Sequence, residues 1–238
     1  MRGRTVATIG AVGVASAWSA PAAAPFAPGL ARALRISRRL TTTRGVALTF
    51  DDGPHAQGTP AVLERLDRAG ATATFFLVGE QVERNASLAA EIAAAGHEVA
   101  VHGYRHRLHT VRITRDLDDD LRRAIATIED ATGEETACYR PPYGVFSPAS
   151  LRLVRRSGRR PTLWSRWAVD WRRGVTPGEI AHKVTARVGA GDIVLLHDAD
   201  HYSSDGSWRR TVLALPSILD AVAALGEPFV CVSASQST

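Results

Sequence analysis

Val46-Ala47-Leu48-Thr49-Phe50-Asp51-Asp52-Gly53-Pro54 is an apolar run that ends abruptly in two acids, a glycine and a proline. Short, apolar and bounded by turn-forming residues, Val46–Phe50 predicts a buried strand. Adjacent side chains of a regular strand point to opposite faces, so Asp51 and Asp52 serve one site only where the strand stops. Gly53-Pro54 supplies that stop. Taken alone, the same letters also describe an ordinary polar Asp-Gly-Pro turn.

Downstream, Thr72–Val78, Glu98–Val101, Ala137–Tyr139, Thr162–Ser165, Ile193–Leu196 and Phe229–Val232 read as further strands. Helical segments alternate with them: Thr59-Pro60 to Gly70, Ser87 to Gly96, Thr114 to Gly133, Ser147-Pro148 to Gly158, Thr176-Pro177 to Gly189, and a last one ending at Gly226. Proline at the first helical position and glycine just past the end are the expected punctuation. Leu117, Leu121, Ile125 and Ile128 recur at helical spacing, which marks them as core. Such alternation is that of an α/β protein whose parallel sheet or barrel is covered by helices, and seven strands suit barrel-like closure.

The chemically unusual residues follow the strands directly: Asp51-Asp52 after the first, His102 after the third, Arg140 after the fourth, Asp170 after the fifth and His197 after the sixth. In a parallel α/β barrel all strands end on one face, so these groups converge despite their separation in sequence.

His102-Gly103-Tyr104-Arg105-His106 places two imidazoles four residues apart, one helical turn, within reach of a single ion. With one aspartate they form a two-histidine, one-carboxylate set that suits catalytic zinc and also non-haem iron. In Arg140-Pro141-Pro142-Tyr143-Gly144 the prolines remove two N–H groups and leave that of Tyr143 as an isolated donor, as an oxyanion site requires. A rigid rim loop with Arg140 in a structural ion pair is the alternative. The apolar run Ile193–Leu196 delivers His197, where burial and a nearby carboxylate such as Asp170 act on its proton affinity in opposite directions, making it a general-acid candidate. His55, His97, His109, His182 and His201 read as plain core or surface residues.

In this order the pieces resemble the polysaccharide deacetylases of the NodB-homology type, carbohydrate esterase family 4. Thr49–Pro54, His102–His106, Arg140–Gly144, Val169-Asp170-Trp171 and Ile193–Asp198 are similar to that family's five motifs. The resemblance implies a distorted (β/α) barrel of about seven parallel strands and a hydrolase that removes N-acetyl groups, or O-acetyl groups, from a glycan such as peptidoglycan or chitin. It implies Asp52, His102 and His106 as ligands of a divalent ion, zinc first, with cobalt, nickel or manganese as alternatives. It further implies Asp51 as general base held ionised by Arg140, and His197 as general acid tuned by Asp170. Tyr143 would bind the oxyanion, and Trp171 and Leu195 would receive the acetyl methyl. Two positions depart from the pattern. Gly103 stands where a serine or threonine is common, and Trp167 where fuller versions of the fourth motif begin with aspartate. The first is shared with relatives that act on small amides or ureides, the competing enzyme reading. Retention of both a base and an acid argues against a non-catalytic glycan-binding module.

The chain has 238 residues, 45% hydrophobic and 22% charged, enough for one substantial core and too few for a second catalytic domain. Arg2 and Arg4 precede an uncharged Ala-rich run to Ala31, with small-residue cleavage sites at Ala15-Ser16-Ala17 and Ala22-Ala23-Ala24. That reads as an export signal, too short to span a membrane. Residues 1–44 are thus expected to be a signal- or anchor-like segment and linker, and 45–238 the catalytic domain. A secreted or envelope location is expected, with a disordered extension on a cytoplasmic protein as the alternative. The net charge of +5 is modest, and its arginine pairs are scattered without interleaved aromatics. Nucleic acid is therefore not expected as a partner; the expected partner is an acetylated glycan, with membrane contact only through an N-terminal anchor and the chain a monomer. Cys138 and Cys231 are too few for a disulfide framework and read as buried thiols.

Overall fold

The computed structural model describes residues 20–233. Strands β1 (Ala47–Asp51), β2 (Ala73–Leu77), β3 (Glu98–Val101), β4 (Cys138–Tyr139), β5 (Arg160–Pro161), β6 (Arg166–Trp167) and β7 (Ile193–His197) form one sheet in the order β5-β4-β3-β2-β1-β7-β6. Every pairing is parallel. β1, β2 and β7 are buried at every position, which is why they read as unbroken apolar runs. The edge strands β5 and β6 are neighbours in sequence, joined by residues 162–165 alone, a reach of roughly 18 Å at most. The sheet must therefore curl until its edges approach one another, giving the distorted barrel expected.

Helices α1 (Pro28–Ala33), α2 (Gly58–Arg68), α3 (Gly79–Arg84), α4 (Ala86–Ala94), α5 (Thr114–Thr132), α6 (Pro148–Arg156), α7 (Pro177–Thr185) and α8 (Ser207–Ala224) surround it. Val62, Leu63 and Leu66 bury the inner face of α2, each contributing about 1.5–3 kcal/mol. On α5, Leu117, Leu121 and Ile128 are buried, and the helix stops at Gly133, whose φ of 71° is the left-handed conformation glycine adopts without strain. Ser147 and Thr176 open α6 and α7 with reciprocal capping boxes.

Two expected strands take other forms. Thr162–Ser165 is a crossing: Thr162 N donates to Tyr139 O, Leu163 N to Ser37 O and Ser165 N to Ile193 O, so successive residues pair with different parts of the barrel. Phe229–Val232 contributes only the bridge from Phe229 to Val46, because Pro228 O and the Val230 N–H take up both backbone groups of Val46 and the chain then turns to Thr74. The sheet still counts seven strands because the crossing is flanked by two short ones. Cys138 and Cys231 are both free thiols, Cys138 buried and Cys231 half-buried.

The segment expected as leader and linker divides. Residues 1–19, with the Ala15-Ser16-Ala17 site, lie outside the described residues. Residues 20–44 pack on the barrel, with Ala24, Ala31, Ile36 and Leu40 inside the common core. On the β5 side, Ser37 N donates to Pro161 O (2.9 Å) and Leu163 N to Ser37 O (2.7 Å). On the β7 side, Leu40 N donates to Gly191 O (2.9 Å), and Arg39 pairs with the buried Asp192. This stretch ties together the two edges of the curled sheet. Among the described residues no helix is long and apolar enough to cross a membrane.

Candidate active site

Four strands deliver side chains to one end of the barrel. Asp51 closes β1 opposite His197 of β7, His102 follows β3, and Arg140 follows β4. Asp52 adopts φ of 77°, a left-handed conformation that aspartate tolerates, and this turn aims both adjacent carboxylates at the same site. Gly53 follows because a Cβ there would lie 2.7 Å from the Asp198 carboxylate.

Asp51 Oδ1 accepts from Arg140 Nη1 at 2.5 Å. The fully buried guanidinium is held in turn by Thr49 Oγ1 (2.9 Å) and Leu163 O (3.0 Å), and lies 3.9 Å from the centroid of the Phe76 ring. Burial pulls the Arg140 pKa down and Asp51 opposes it, but a guanidinium stays protonated. The guanidinium thus sets a permanent positive charge directly against Asp51 inside an apolar barrel.

Asp52, His102 and His106 present one ligand atom each within 4.8 Å of one another. Asp52 Oδ1 stands 3.4 Å from His102 Nε2 and 3.3 Å from His106 Nε2, buried and without a hydrogen-bond partner. His102 Nδ1 lies 2.8 Å from Arg140 O; a carbonyl only accepts, so Nδ1 carries a proton and Nε2 is the atom turned toward Asp52. Burial opposes ionisation of Asp52, yet the facing histidines hold it well below the usual carboxylate range. Burial also drives His106 down to about 4, leaving it neutral at ordinary pH, as a ligand must be. An orphaned carboxylate oxygen facing the Nε2 atoms of two imidazoles fits a divalent cation.

The spacing of the two histidines is not helical, contrary to the sequence reading. Residues 102–108 form a loop, turned by Gly103 at φ of 84°. This accounts for the missing serine or threonine: a side chain at Gly103 would be strained and would press on Asp120 Oδ2 at 3.3 Å. Asp120, on α5, accepts from Tyr104 N (2.8 Å) and Arg112 (3.0 Å) and so fixes the loop. His106 has no hydrogen bond at Nδ1. Its ring is held instead by Tyr202, stacked at 4.3 Å and 13°, and by the edge of Tyr143 at 4.5 Å. Tyr202 is itself anchored, donating to Glu80 (2.7 Å) and accepting from Gln81 (2.9 Å).

His197 Nδ1 bonds Asp170 Oδ1 at 3.0 Å, while Asp170 Oδ2 accepts from His197 N (2.8 Å) and Thr211 (2.9 Å). Burial disfavours the imidazolium, but Asp170, Asp52 and Asp51 together outweigh it and push His197 up to about 10. A divalent cation on Asp52 would cancel part of that attraction and bring the value down. Trp171 meets His197 edge-on at 5.2 Å, and Leu195, Trp164, Trp167 and Tyr143 share the cleft. Trp167, which stands in place of an acid, is therefore part of an apolar wall. Phe26 and Pro25 of the N-terminal stretch complete it. All ten residues singled out from the sequence thus converge; Tyr202, which the sequence offers only as part of a polar loop from Ala199 to Arg210 beside the site, stacks on His106, while Asp120, Thr211 and Phe26 were not anticipated.

His109 is buried, its Nε2 hydrogen-bonded with Tyr139 OH at 3.1 Å, in keeping with a structural role. Burial, then Arg112 and the neighbouring histidines, push it down to about 3. Below pH 6.5 the unfolded chain takes up a proton that the native state refuses, so stability is full above that pH and falls toward pH 3. By pH 4 this group alone costs about 3 kcal/mol. In urea unfolding at pH 7 and pH 4, His109→Gln should lose correspondingly less stability than the parent; equal losses would assign the acid sensitivity elsewhere.

The sequence matches the model of the polysaccharide deacetylase family over residues 38–162, and the chain belongs to that family. A peptidoglycan-N-acetylglucosamine deacetylase of Bacillus cereus is 35% identical over 190 residues, covering 79% of this chain and 86% of that protein. A chitooligosaccharide deacetylase of Sinorhizobium fredii is 34% identical over 195 residues, covering 79% and 89%. The crystal structure of the Bc1960 peptidoglycan N-acetylglucosamine deacetylase, in complex with a naphthyl-substituted N-hydroxybenzamide, superposes with a TM-score of 0.81 at 26% identity over 90% of this chain and 97% of that one.

Proposed function

We propose that the chain hydrolyses N-acetyl groups of a cell-wall or chitin-like glycan with a divalent ion held by Asp52, His102 and His106. The observation that carries this is the buried, unpartnered Asp52 Oδ1 facing two imidazoles, flanked by Asp51–Arg140 on one side and His197–Asp170 on the other. Zinc suits this donor set best, with cobalt, nickel and manganese as alternatives. When bound, the ion supplies Lewis acidity to the acetamide carbonyl and the attacking water.

The chain's own groups do the rest. Asp51, held in place by Arg140, takes a proton from water as it attacks the acetyl carbon. The Tyr143 N–H faces the oxyanion that develops, and Trp171 and Leu195 enclose the methyl. His197, oriented by Asp170, protonates the departing sugar amine, releasing acetate. O-acetyl esters need the same groups. The small-amide reading loses its main support, because Gly103 answers to backbone geometry. Incubation with N-acetylglucosamine oligomers and with ureides, followed by acetate and ammonia assays, tests the substrate class: acetate alone is expected, and ammonia alone would overturn it. Arg2, Arg4 and the Ala-rich run that follows them support export to the envelope, where the acetylated glycan is the partner.

Because His106 lacks a hydrogen bond at Nδ1, its aim depends on the Tyr202 stack. Tyr202→Ala should weaken zinc retention about tenfold in chelator competition. Tyr202→Phe, which keeps the ring, should restore most of it; equal affinity in all three proteins would remove Tyr202 from the site.

A further inference from the structure

His55 and His201, which the sequence offers only as plain histidines, meet with ring centroids 5.0 Å apart across the seam between two loops. One loop, residues 52–57, runs from Asp52 to the start of α2. The other, residues 198–206, follows His197 and carries Tyr202, whose ring stacks on His106 in the wall of the catalytic cleft. The seam has no spare room: a Cβ at Gly58 would fall on Asp198 O, and the Asp198 carboxylate accepts from Thr59.

His55 acts on both sides of it. Its Nδ1 accepts from the backbone N–H of Gly58 at 2.8 Å and of Gln57 at 3.2 Å, amides that the first turn of α2 leaves without partners. An N–H only donates, so Nδ1 carries no proton and the ring is the neutral tautomer with its hydrogen on Nε2. Burial pulls the His55 pKa down in the same direction, and Asp200 opposes it. Nε2 stands 3.3 Å from Asp200 Oδ1. Asp200 is the hub of the second loop, since its Oδ2 accepts from Gly206 N at 2.7 Å and its carbonyl from Ser203 N at 3.2 Å. His201 adds a contact of 3.4 Å from Nε2 to Pro54 O. Tyr202 is thus held at its hydroxyl by Glu80 and Gln81, and at its backbone by the Asp200 turn that His55 faces.

We infer that His55 is a positioning residue: through Asp200 it sets the turn that aims Tyr202 at His106, coupling the start of α2 to a metal ligand. The coupling to metal rests on the reading of Asp52, His102 and His106 as ligands; the hold on the turn does not. A mere cap on α2 would use Nδ1 alone.

The test uses the full chain and separates the two ring nitrogens. His55→Asn keeps an acceptor for the α2 amides but is too short to reach Asp200, whereas His55→Gln places an amide N–H near the position of Nε2. In chelator competition, His55→Ala and His55→Asn should each hold zinc about fivefold more weakly than the parent, and His55→Gln should recover most of the loss. Parent-like zinc affinity in His55→Asn would make His55 a cap alone and overturn the proposal. In the Tyr202→Ala background, His55→Ala should cost no further affinity; additive losses would mean that His55 does not act through Tyr202, and also overturn it. Amide exchange of the metal-free protein, read by mass spectrometry, needs no ion. Peptides containing Ser203 and Gly206 should exchange about tenfold faster in His55→Asn, with α2 unchanged. Exchange equal to the parent's overturns the proposal. Faster exchange where neither parent nor variant binds zinc supports the hold on the turn, and only the metal reading then fails.

Discussion

Asp52→Ala is expected to yield a folded protein that neither retains zinc after dialysis nor releases acetate. Asp51→Asn should keep zinc near one equivalent and still lose activity by roughly a thousandfold, the scale of a lost general base. The difference follows from position. Asp52 Oδ1 is the orphaned oxygen between His102 and His106, whereas Asp51 Oδ1 is committed to Arg140 and its Oδ2 stands 3.7 Å from His102. Asp51→Asn also leaves the buried Arg140 without its counter-charge, a change that can cost about 3–5 kcal/mol. The melting temperature of each variant must therefore accompany zinc content and rate. Equal zinc loss in the two would collapse the division of labour between base and ligand.

Removal of residues 1–40 should destabilise the barrel by roughly 4–8 kcal/mol, a large fraction of the roughly 5–15 kcal/mol typical of a domain. Ile36 and Leu40 are buried side chains worth about 1.5–3 kcal/mol each, and Ala31 adds less. Ser37 and Leu40 also satisfy backbone groups on both sides of the opening, and Leu163 N loses its acceptor Ser37 O. The Trp164 loop braced by Arg38 would loosen with them. Urea unfolding of the truncated and full chains checks this: a midpoint unchanged by truncation would mean that the stretch merely leans on the barrel.

The acids and histidines were legible because their types are rare at strand ends and the apolar runs before them are unmistakable. His102 and His106 illustrate how a right pairing can rest on a wrong geometry: four residues is one helical turn, but Gly103 reverses the chain and brings the rings to 5.2 Å within a loop. Tyr202 could be placed from sequence only in a polar loop beside the site; its stack on His106, across 96 positions, could not. Asp120 was concealed within a helix whose apolar stripe reads as core. Thr162–Ser165 has strand-like composition because it is buried, yet its partners change at each residue. Residues 20–44 were the least legible. Alanine, proline and arginine there resemble a leader and linker, while Ile36 and Leu40, too few to form a periodic pattern, close the barrel.

The most direct test is a zinc titration of the metal-stripped full chain, with acetate release from an N-acetylglucosamine tetramer as the readout. Acetate production should be absent without metal, rise linearly to one equivalent and then level off, and stay absent throughout for His102→Ala. Undiminished acetate release from the stripped protein in the presence of chelator would contradict a hydrolytic metal centre at Asp52, His102 and His106.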